Sequence, residues 1–123
     1  MSVLSLISGA TLSSLFAQAR SLAVSAANVA NLRSVSYEPQ RVVQTSGPEG
    51  GVRAVTVPIT PSSVPVYDPN NPAADADGLV ALPNVSLEEE FVVQLQAKLA
   101  YKANLAVLET QDEVLGDLLD VVS

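Results

Sequence analysis

From residue 75 the sequence reads Asp75-Ala-Asp-Gly-Leu-Val-Ala-Leu-Pro-Asn-Val85 and then runs from Ser86 to Ser123 without a proline and with a single glycine. Such a stretch without helix breakers favours one long helix. Its start is marked, because Ser86 is a favourable N-cap and Glu89 completes a capping box three residues later. Residues 88–90 are all glutamate and place negative charge at the positive end of the helix dipole. The sequence therefore predicts a C-terminal helix over residues 86–123.

Apolar residues recur at every third or fourth position of this predicted helix, with a shift of phase between Lys98 and Lys102. The two lysines fit an exposed turn of helix as well as contacts to a neighbouring molecule. The apolar positions predict a stripe that needs a long partner; it consists of Phe91, Leu95, Leu99, Tyr101, Leu105, Leu108, Leu115, Leu119 and Val122.

A second helix is predicted over residues 3–32, where apolar residues follow a heptad spacing. This narrow seam is formed by Leu12, Leu15, Ala19, Leu22, Ala26 and Val29. Most other positions are alanine or serine, which allow other helices to approach closely. We expect the two helices to bury their stripes against each other as a coiled coil, in an antiparallel or another paired arrangement.

The segment between the helices predicts a small β insert. Two β-branched runs, residues 41–45 and 52–57, flank a glycine- and proline-rich turn at 47–51 and predict a hairpin. Prolines restrict a third strand, predicted at residues 63–67, to the edge of a sheet. Residues 68–78 are rich in Asp, Asn, Pro and Gly and predict a turn-rich loop.

The predicted fold class is therefore mainly α with a small β insert. It comprises an N-terminal helix within residues 1–37, a β-hairpin insert and loop within 38–85, and a C-terminal helix within 86–123. The 123-residue length is sufficient for one domain.

Composition excludes several classes of function. The chain has no cysteine and no histidine, so it lacks a thiolate nucleophile and the commonest general base and metal ligand. Its net charge of -7, from 6 basic and 13 acidic residues, disfavours nucleic acid and anionic membrane surfaces as partners. Residues 1–37 carry arginines and no acid, whereas the C-terminal helix is acidic. The two ends of the chain thus have opposite charge.

Few side chains suggest a catalytic or metal site. Asp75 and Asp77 precede Gly78 as in part of a calcium loop, but Ser86 stands where a bidentate glutamate is needed and the glycine comes too early. The glutamates 88–90 point in different directions around a helix and are better explained by helix capping. We therefore predict no enzymatic activity, no metal, no cofactor and no small-molecule substrate.

The first 19 residues need a separate interpretation, because residues 3–16 are apolar and Ala17-Gln-Ala19 fits a signal-peptidase site. The apolar run has no basic residue before it and is interrupted by serines, while the heptad pattern continues through the supposed cleavage point. We expect neither cleavage nor a membrane span.

The acidic face of the C-terminal helix over residues 109–120 is explained by exposure to solvent or, less simply, by binding of a partner.

Two motifs resemble a known family. Ser25-Ala-Ala-Asn-Val-Ala-Asn31, followed by Tyr37, is similar to the N-terminal signature of the bacterial flagellar axial proteins, which form the rod, the hook and the hook-filament junction. The stretch 75–85, then Glu90 and residues 97–104, resembles the C-terminal half of the proximal-rod members of that family. The matches stand at both ends of the chain in the expected order.

This resemblance implies a structural subunit of the flagellar proximal rod in the periplasm, exported through the flagellar type III apparatus without a cleaved signal. Its partners would be other copies of itself and other rod proteins, packed through the terminal helices into a tubular drive shaft. A secreted adaptor that binds a partner through the β insert is the alternative. The residues expected at the assembly interface are Leu12, Leu15, Leu22, Asn28, Val29, Asn31, Tyr37, Pro83, Asn84, Phe91, Leu95, Tyr101, Asn104, Leu105, Leu108, Leu115 and Leu119.

Overall fold

The computed structural model describes residues 3–48 and 50–122, and two long helices frame it. Helix α1 spans Val3–Ala30 and helix α2 spans Leu87–Val122. Between them lie strands β1 (Gln40–Ser46), β2 (Val52–Pro58), β3 (Ser63–Tyr67) and β4 (Leu79–Pro83). The predicted class, mainly α with a small β insert, is confirmed. Met1, Ser2, Glu49 and Ser123 fall in predicted segments but lie outside the described residues, as does the side chain of Val122.

Helix α2 begins after Ser86 as predicted but without the predicted capping box, because among the described residues the Glu89 carboxylate accepts no hydrogen bond from the Ser86 amide. The backbone amide of Glu89 donates to the Ser86 hydroxyl oxygen at 3.4 Å, which is the N-cap hydrogen bond. The Ser86 hydroxyl in turn donates to the carboxylate of Glu88 at 3.2 Å, one residue earlier than a capping box would place the acid.

The β insert forms two separate antiparallel sheets of two strands each. Strands β1 and β2 pair from Gln40 opposite Pro58 to Ser46 opposite Val52, which confirms the predicted hairpin. The predicted strand at residues 63–67 is present as β3, but its partner β4 lies just after the predicted loop, where no strand was predicted. In a two-stranded sheet every strand is an edge, so proline is tolerated in β3 and β4.

The hairpin packs along one side of α1 through hydrogen bonds to serine side chains and one close approach at Gly51. The backbone amide of Val52 donates to the Ser13 hydroxyl at 3.0 Å, and the Gln44 side-chain amide donates to the Ser21 hydroxyl at 3.2 Å. Gly51 has a positive φ of 79°, and a Cβ there would lie 3.2 Å from the Cα of Ala10 and collide with the Ser13 hydroxyl. Glycine is therefore required where the hairpin meets the helix.

The helices α1 and α2 run antiparallel, but their contact is not the predicted apolar seam. Along α1 the buried positions are offset by one residue from much of that seam and include Thr11, Ser21 and Ser25. Leu12 and Leu22 are 44 % and 42 % exposed, and only Leu15 of the predicted leucines is buried. The heptad spacing is real, but small polar residues occupy the contact positions.

Few apolar side chains are buried in the described residues. Those that are buried are Leu15, Ala17, Val80 and Ala97, together with Pro39 and Pro83. Among residues 3–48 and 50–122 no helix combines the length and apolar content that crossing a membrane requires. Most of the larger hydrophobic side chains for which the structure gives an exposure are exposed.

Candidate assembly surface and the polar joint beneath it

Asn28, near the end of α1, is the centre of a buried hydrogen-bond cluster and is 1 % exposed. Its side-chain amide nitrogen donates to the backbone carbonyl of Gln40 at 2.7 Å and to the Glu90 carboxylate at 3.3 Å. Its side-chain oxygen accepts from the Tyr37 hydroxyl at 2.8 Å and from the Gln40 amide at 3.2 Å. One side chain thereby joins α1, β1 and α2, and we call this cluster the polar joint.

The backbone after α1 folds back so that Tyr37 reaches this joint. The Asn31 side-chain amide donates to the Ala27 carbonyl at 2.9 Å, where helical bonding ends. Ser36 takes a left-handed φ of 75°, and the Tyr37 amide donates to the Ser34 carbonyl. Burial raises the pKa of the Tyr37 hydroxyl, and the nearby Glu90 carboxylate raises that pKa further.

Ser25 extends the joint toward α2 and is 2 % exposed. Its hydroxyl donates to the Glu90 backbone carbonyl at 3.2 Å and accepts from the Gln94 side-chain amide at 3.1 Å. The buried end of α1 is therefore fixed to the first turns of α2 by hydrogen bonds, which depend on direction more strongly than apolar contacts do.

Two further hydrogen bonds continue the contact toward the other end of the helix pair. The Asn104 side-chain amide donates to the Ser14 hydroxyl at 3.0 Å, and the Ser8 hydroxyl donates to the Gln111 side-chain oxygen at 2.9 Å. Within the described residues, the Gln111 side-chain nitrogen is buried without a hydrogen-bond partner. We call this row of contacts, from the joint to Gln111, the polar seam.

The outer faces of the helices carry large apolar residues that the single chain leaves uncovered. Phe91, Leu95 and Leu99 succeed one another at intervals of four residues on α2 and are 56 %, 58 % and 60 % exposed. Phe16 on α1 is 71 % exposed. An exposed apolar area of this extent is typical of a surface that binds another molecule.

Asn84 holds the segment that leads into α2. Its side-chain amide donates to the Pro61 carbonyl at 2.9 Å, and its backbone amide donates to the Ser62 carbonyl at 2.9 Å. Pro83, the last residue of β4, is buried beside it. These contacts extend the pairing of β3 with β4 by one step, up to the short segment that precedes α2.

The residues expected at the assembly interface thus fall into distinct environments. Asn28 and Tyr37 meet in the polar joint, and Asn104 lies in the polar seam. Leu15 is buried, while Val29, Asn31, Pro83, Asn84 and Leu108 are buried or half-buried. The exposed members are Leu12, Leu22, Phe91, Leu95, Tyr101, Leu105, Leu115 and Leu119.

Sequence reasoning named Asn28 and Asn104 but missed the other polar residues that join the helices, although a signal was present. Along α2 the buried and half-buried positions recur at threes and fours: Glu90, Gln94, Ala97, Ala100, Asn104, Leu108 and Gln111. A heptad pattern of small and amide side chains marks this contact as clearly as leucines would. The spacing of the apolar residues alone does not reveal this pattern.

The loop before β4 is a turn held together by Asp75. The Asp75 carboxylate accepts hydrogen bonds from the backbone amides of Asp77 and Leu79, each at 2.9 Å. Among residues 3–48 and 50–122 no group of three acidic, histidine or cysteine side chains is placed to hold a metal ion. Asp75 therefore acts on its own backbone, as aspartate commonly does in turns.

Comparison with known proteins places these features in a family context. Residues 76–121 match the family described as flagellar basal body rod FlgEFG protein C-terminal. The chain is 37 % identical to the flagellar basal-body rod protein FlgC of Yersinia enterocolitica, covering 84 % of this chain and 86 % of that protein. It is 38 % identical to FlgC of Salmonella typhimurium, over 80 % and 82 % of the two chains. FlgC of Agrobacterium fabrum is 33 % identical over 89 % and 88 %.

Proposed function

Because this chain belongs to the family of flagellar basal-body rod proteins called FlgC, we propose that it is a structural subunit of the flagellar proximal rod. It assembles with copies of itself and with other rod proteins through its terminal helices to form a tubular drive shaft. The proposal assigns no reaction to the chain.

The observation that carries this proposal is the distribution of apolar and polar side chains on the helices. The polar seam joins α1 to α2 within the chain, while residues such as Phe91, Leu95 and Leu99 point away from it and are more than half exposed. Covering them removes apolar area from water, which stabilises association. Helices that pair through polar groups and expose apolar ones are suited to lateral packing with neighbours.

In the proposed subunit, residues 1–37 and 86–123 form the axial core and residues 38–85 form the insert. Two features support this division: the helix pair is continuous along α1 and α2, and the insert is fixed to it at the polar joint and at Ser13. Packed side by side, helices of this length resist torsion. At about 1.5 Å of rise per residue, α2 extends over about 54 Å.

We further infer export through the flagellar type III apparatus and a periplasmic location in the rod, without removal of a signal peptide. In support, α1 runs without a break through the segment 17–19 that fits a signal-peptidase site, and Ala17 is 3 % exposed. Cleavage after residue 19 would remove more than half of α1. Determining the N-terminal residue of the protein in purified basal bodies tests this point: a start at Arg20 contradicts it.

Substitution on the outer face tests the rod function. We expect Leu99→Asp to abolish incorporation into basal bodies, because it places a charge on a surface that becomes buried, while leaving the stability of the single chain unchanged since Leu99 is 60 % exposed. Leu22→Asp on α1 and Leu105→Asp on α2 should act in the same way. Gln96→Asp, an exposed position on the same helix, is the matched control and should assemble normally. Normal incorporation of all three leucine variants would contradict the proposal.

A further inference from the structure

A groove between α1 and the β1–β2 hairpin combines apolar walls with two arginines. Its volume is about 640 Å³, and residues lining it include Phe16, Ala17, Arg20, Val52, Arg53 and Ala54. Arg20 and Arg53 are exposed, and within residues 3–48 and 50–122 neither forms a salt bridge. The groove therefore presents two positive charges, not neutralised by any described residue, beside an exposed aromatic ring.

The last turns of α2 carry the complementary pattern. Glu113 and Asp117 lie four residues apart and so face the same side of the helix. A second row, Val114, Leu118 and Val121, runs directly beside them, and these residues are 45 %, 53 % and 84 % exposed. Two adjacent carboxylates repel each other on an isolated helix, and positive partners opposite them remove that cost.

The chain cannot place its own acidic segment in this groove. The polar seam sets Gln111 opposite Ser8, and the antiparallel direction carries the residues after Gln111 away from Arg20. Along α1, Arg20 is about 18 Å beyond Ser8 at about 1.5 Å of rise per residue. An occupant with this pattern must come from another molecule.

We propose that the groove lined by Phe16, Arg20 and Arg53 receives residues 113–121 of α2 from a second copy of this chain. The proposal rests on the rod function and specifies one of its subunit contacts. Glu113 and Asp117 lie against the two arginines, and the apolar row covers Phe16. Groove and segment are different surfaces of one chain, so the contact is heterologous and can repeat from subunit to subunit along an assembly.

Cysteine cross-linking tests the contact directly, because the chain contains no cysteine of its own. Cells lacking their own copy of the protein would express one chain with Arg53→Cys and a second, longer tagged chain with Asp117→Cys. After mild oxidation of purified basal bodies we expect a mixed disulfide between the two chains. Replacing Arg53→Cys by Arg33→Cys, an exposed arginine outside the groove, should give none.

Charge exchange provides the second test. We expect Arg53→Glu to reduce incorporation by about tenfold or more, because like charges then face each other across the contact. Combining it in the same chain with Asp117→Arg should restore incorporation, whereas Arg33→Glu, tested alone, should leave it unchanged.

The outcomes separate this contact from the rod function. Normal rods that contain the chain but give no Arg53–Asp117 cross-link overturn the contact and leave the rod function intact. Loss of incorporation with Arg53→Glu without rescue by Asp117→Arg also overturns it, since a different partner then fills the groove. Basal bodies that lack the unmodified chain altogether contradict the rod function itself.

Discussion

The side-chain amide of Asn28 lies 3.3 Å from the carboxylate of Glu90, although 62 positions separate them in the sequence. Both residues are buried, Asn28 to 1 % and Glu90 to 9 % exposure. This hydrogen bond joins the end of one helix to the start of the other, and the bonds of Asn28 to Tyr37 and Gln40 bring the turn after α1 and strand β1 into the same cluster.

We expect Asn28→Ala to lower the free energy of unfolding by about 2–3 kcal/mol, because it leaves several buried donors and acceptors without partners. Urea unfolding followed by circular dichroism measures the change. Asn31→Ala is the matched control: Asn31 is only half-buried and bonds locally to Ala27, so its loss should cost less than about 1 kcal/mol. Equal effects of the two substitutions would contradict the central role of Asn28.

We expect ionisation of the Tyr37 hydroxyl to lower the stability of the protein at alkaline pH. Its pKa is raised in the folded protein, so above about pH 10 the unfolded chain releases this proton more readily than the folded one. The unfolded state then binds fewer protons, and the free energy of unfolding falls as pH rises toward the folded-state pKa. Below about pH 10 the contribution is fully present. We expect Tyr37→Phe to flatten this part of the pH profile; parallel profiles from pH 8 to 11 would contradict the assignment.

Two glycines should respond to alanine in opposite directions. Gly78 has a φ of 78°, and a Cβ there would lie 2.9 Å from the Tyr67 ring, so we expect Gly78→Ala to destabilise the protein by about 1–2 kcal/mol. Gly116 lies in α2 with open space around it, and Gly116→Ala should stabilise by about 0.5–1 kcal/mol through helix propensity. Thermal unfolding of both variants provides the comparison, and shifts of the same sign would refute it.

The far end of the polar seam offers a stabilising substitution. The Gln111 amide nitrogen is buried without a partner among the described residues, and its side-chain oxygen accepts from Ser8. Replacing both residues together, as Ser8→Ala with Gln111→Leu, removes the unsatisfied group and adds apolar contact, so stability should rise by about 1 kcal/mol. Gln111→Leu alone should gain less, since the Ser8 hydroxyl loses its acceptor. A double variant less stable than the parent would show that the seam needs its hydrogen bonds.

The isolated chain should unfold with little cooperativity in its helices. Few apolar side chains are buried between α1 and α2, so the energy of pairing is small against the ordering cost of long helices. We expect the helical circular dichroism signal of dilute, monodisperse protein to decline gradually on heating. A sharp, strongly helical transition of the monomer would contradict this expectation.

The helix boundaries and the first hairpin were predictable because local chemistry determines them. Ser86 as N-cap, the absence of proline after it, and the β-branched runs around a glycine-rich turn each act within a few residues. Strand β4 was not predictable in this way, since Leu79–Pro83 is short, ends in proline and depends on pairing with β3.

The prediction of which helix faces contact each other was wrong for a physical reason. In a helix that is otherwise surrounded by water, leucines usually mark the side that packs against the rest of the protein. Here Leu12 and Leu22 are exposed, while Ser21 and Ser25 are buried against other elements. In the proposed rod subunit neighbouring molecules cover the exposed faces, so the rule for a monomer does not apply. The polar joint could not be predicted from the sequence, because it depends on which distant residues meet, and no local pattern links Asn28 to Glu90.

The polar seam has a consequence for the orientation of each helix about its own axis. A contact made of apolar side chains tolerates some rotation of a helix about its axis, because one leucine can take the place of another against an apolar surface at modest cost. Hydrogen bonds between Ser14 and Asn104, or between Ser25 and Gln94, fail when either helix turns by a single position. The polar seam therefore fixes the rotation of α1 and of α2 about their own axes, so that every copy presents the same outward side at the same angle.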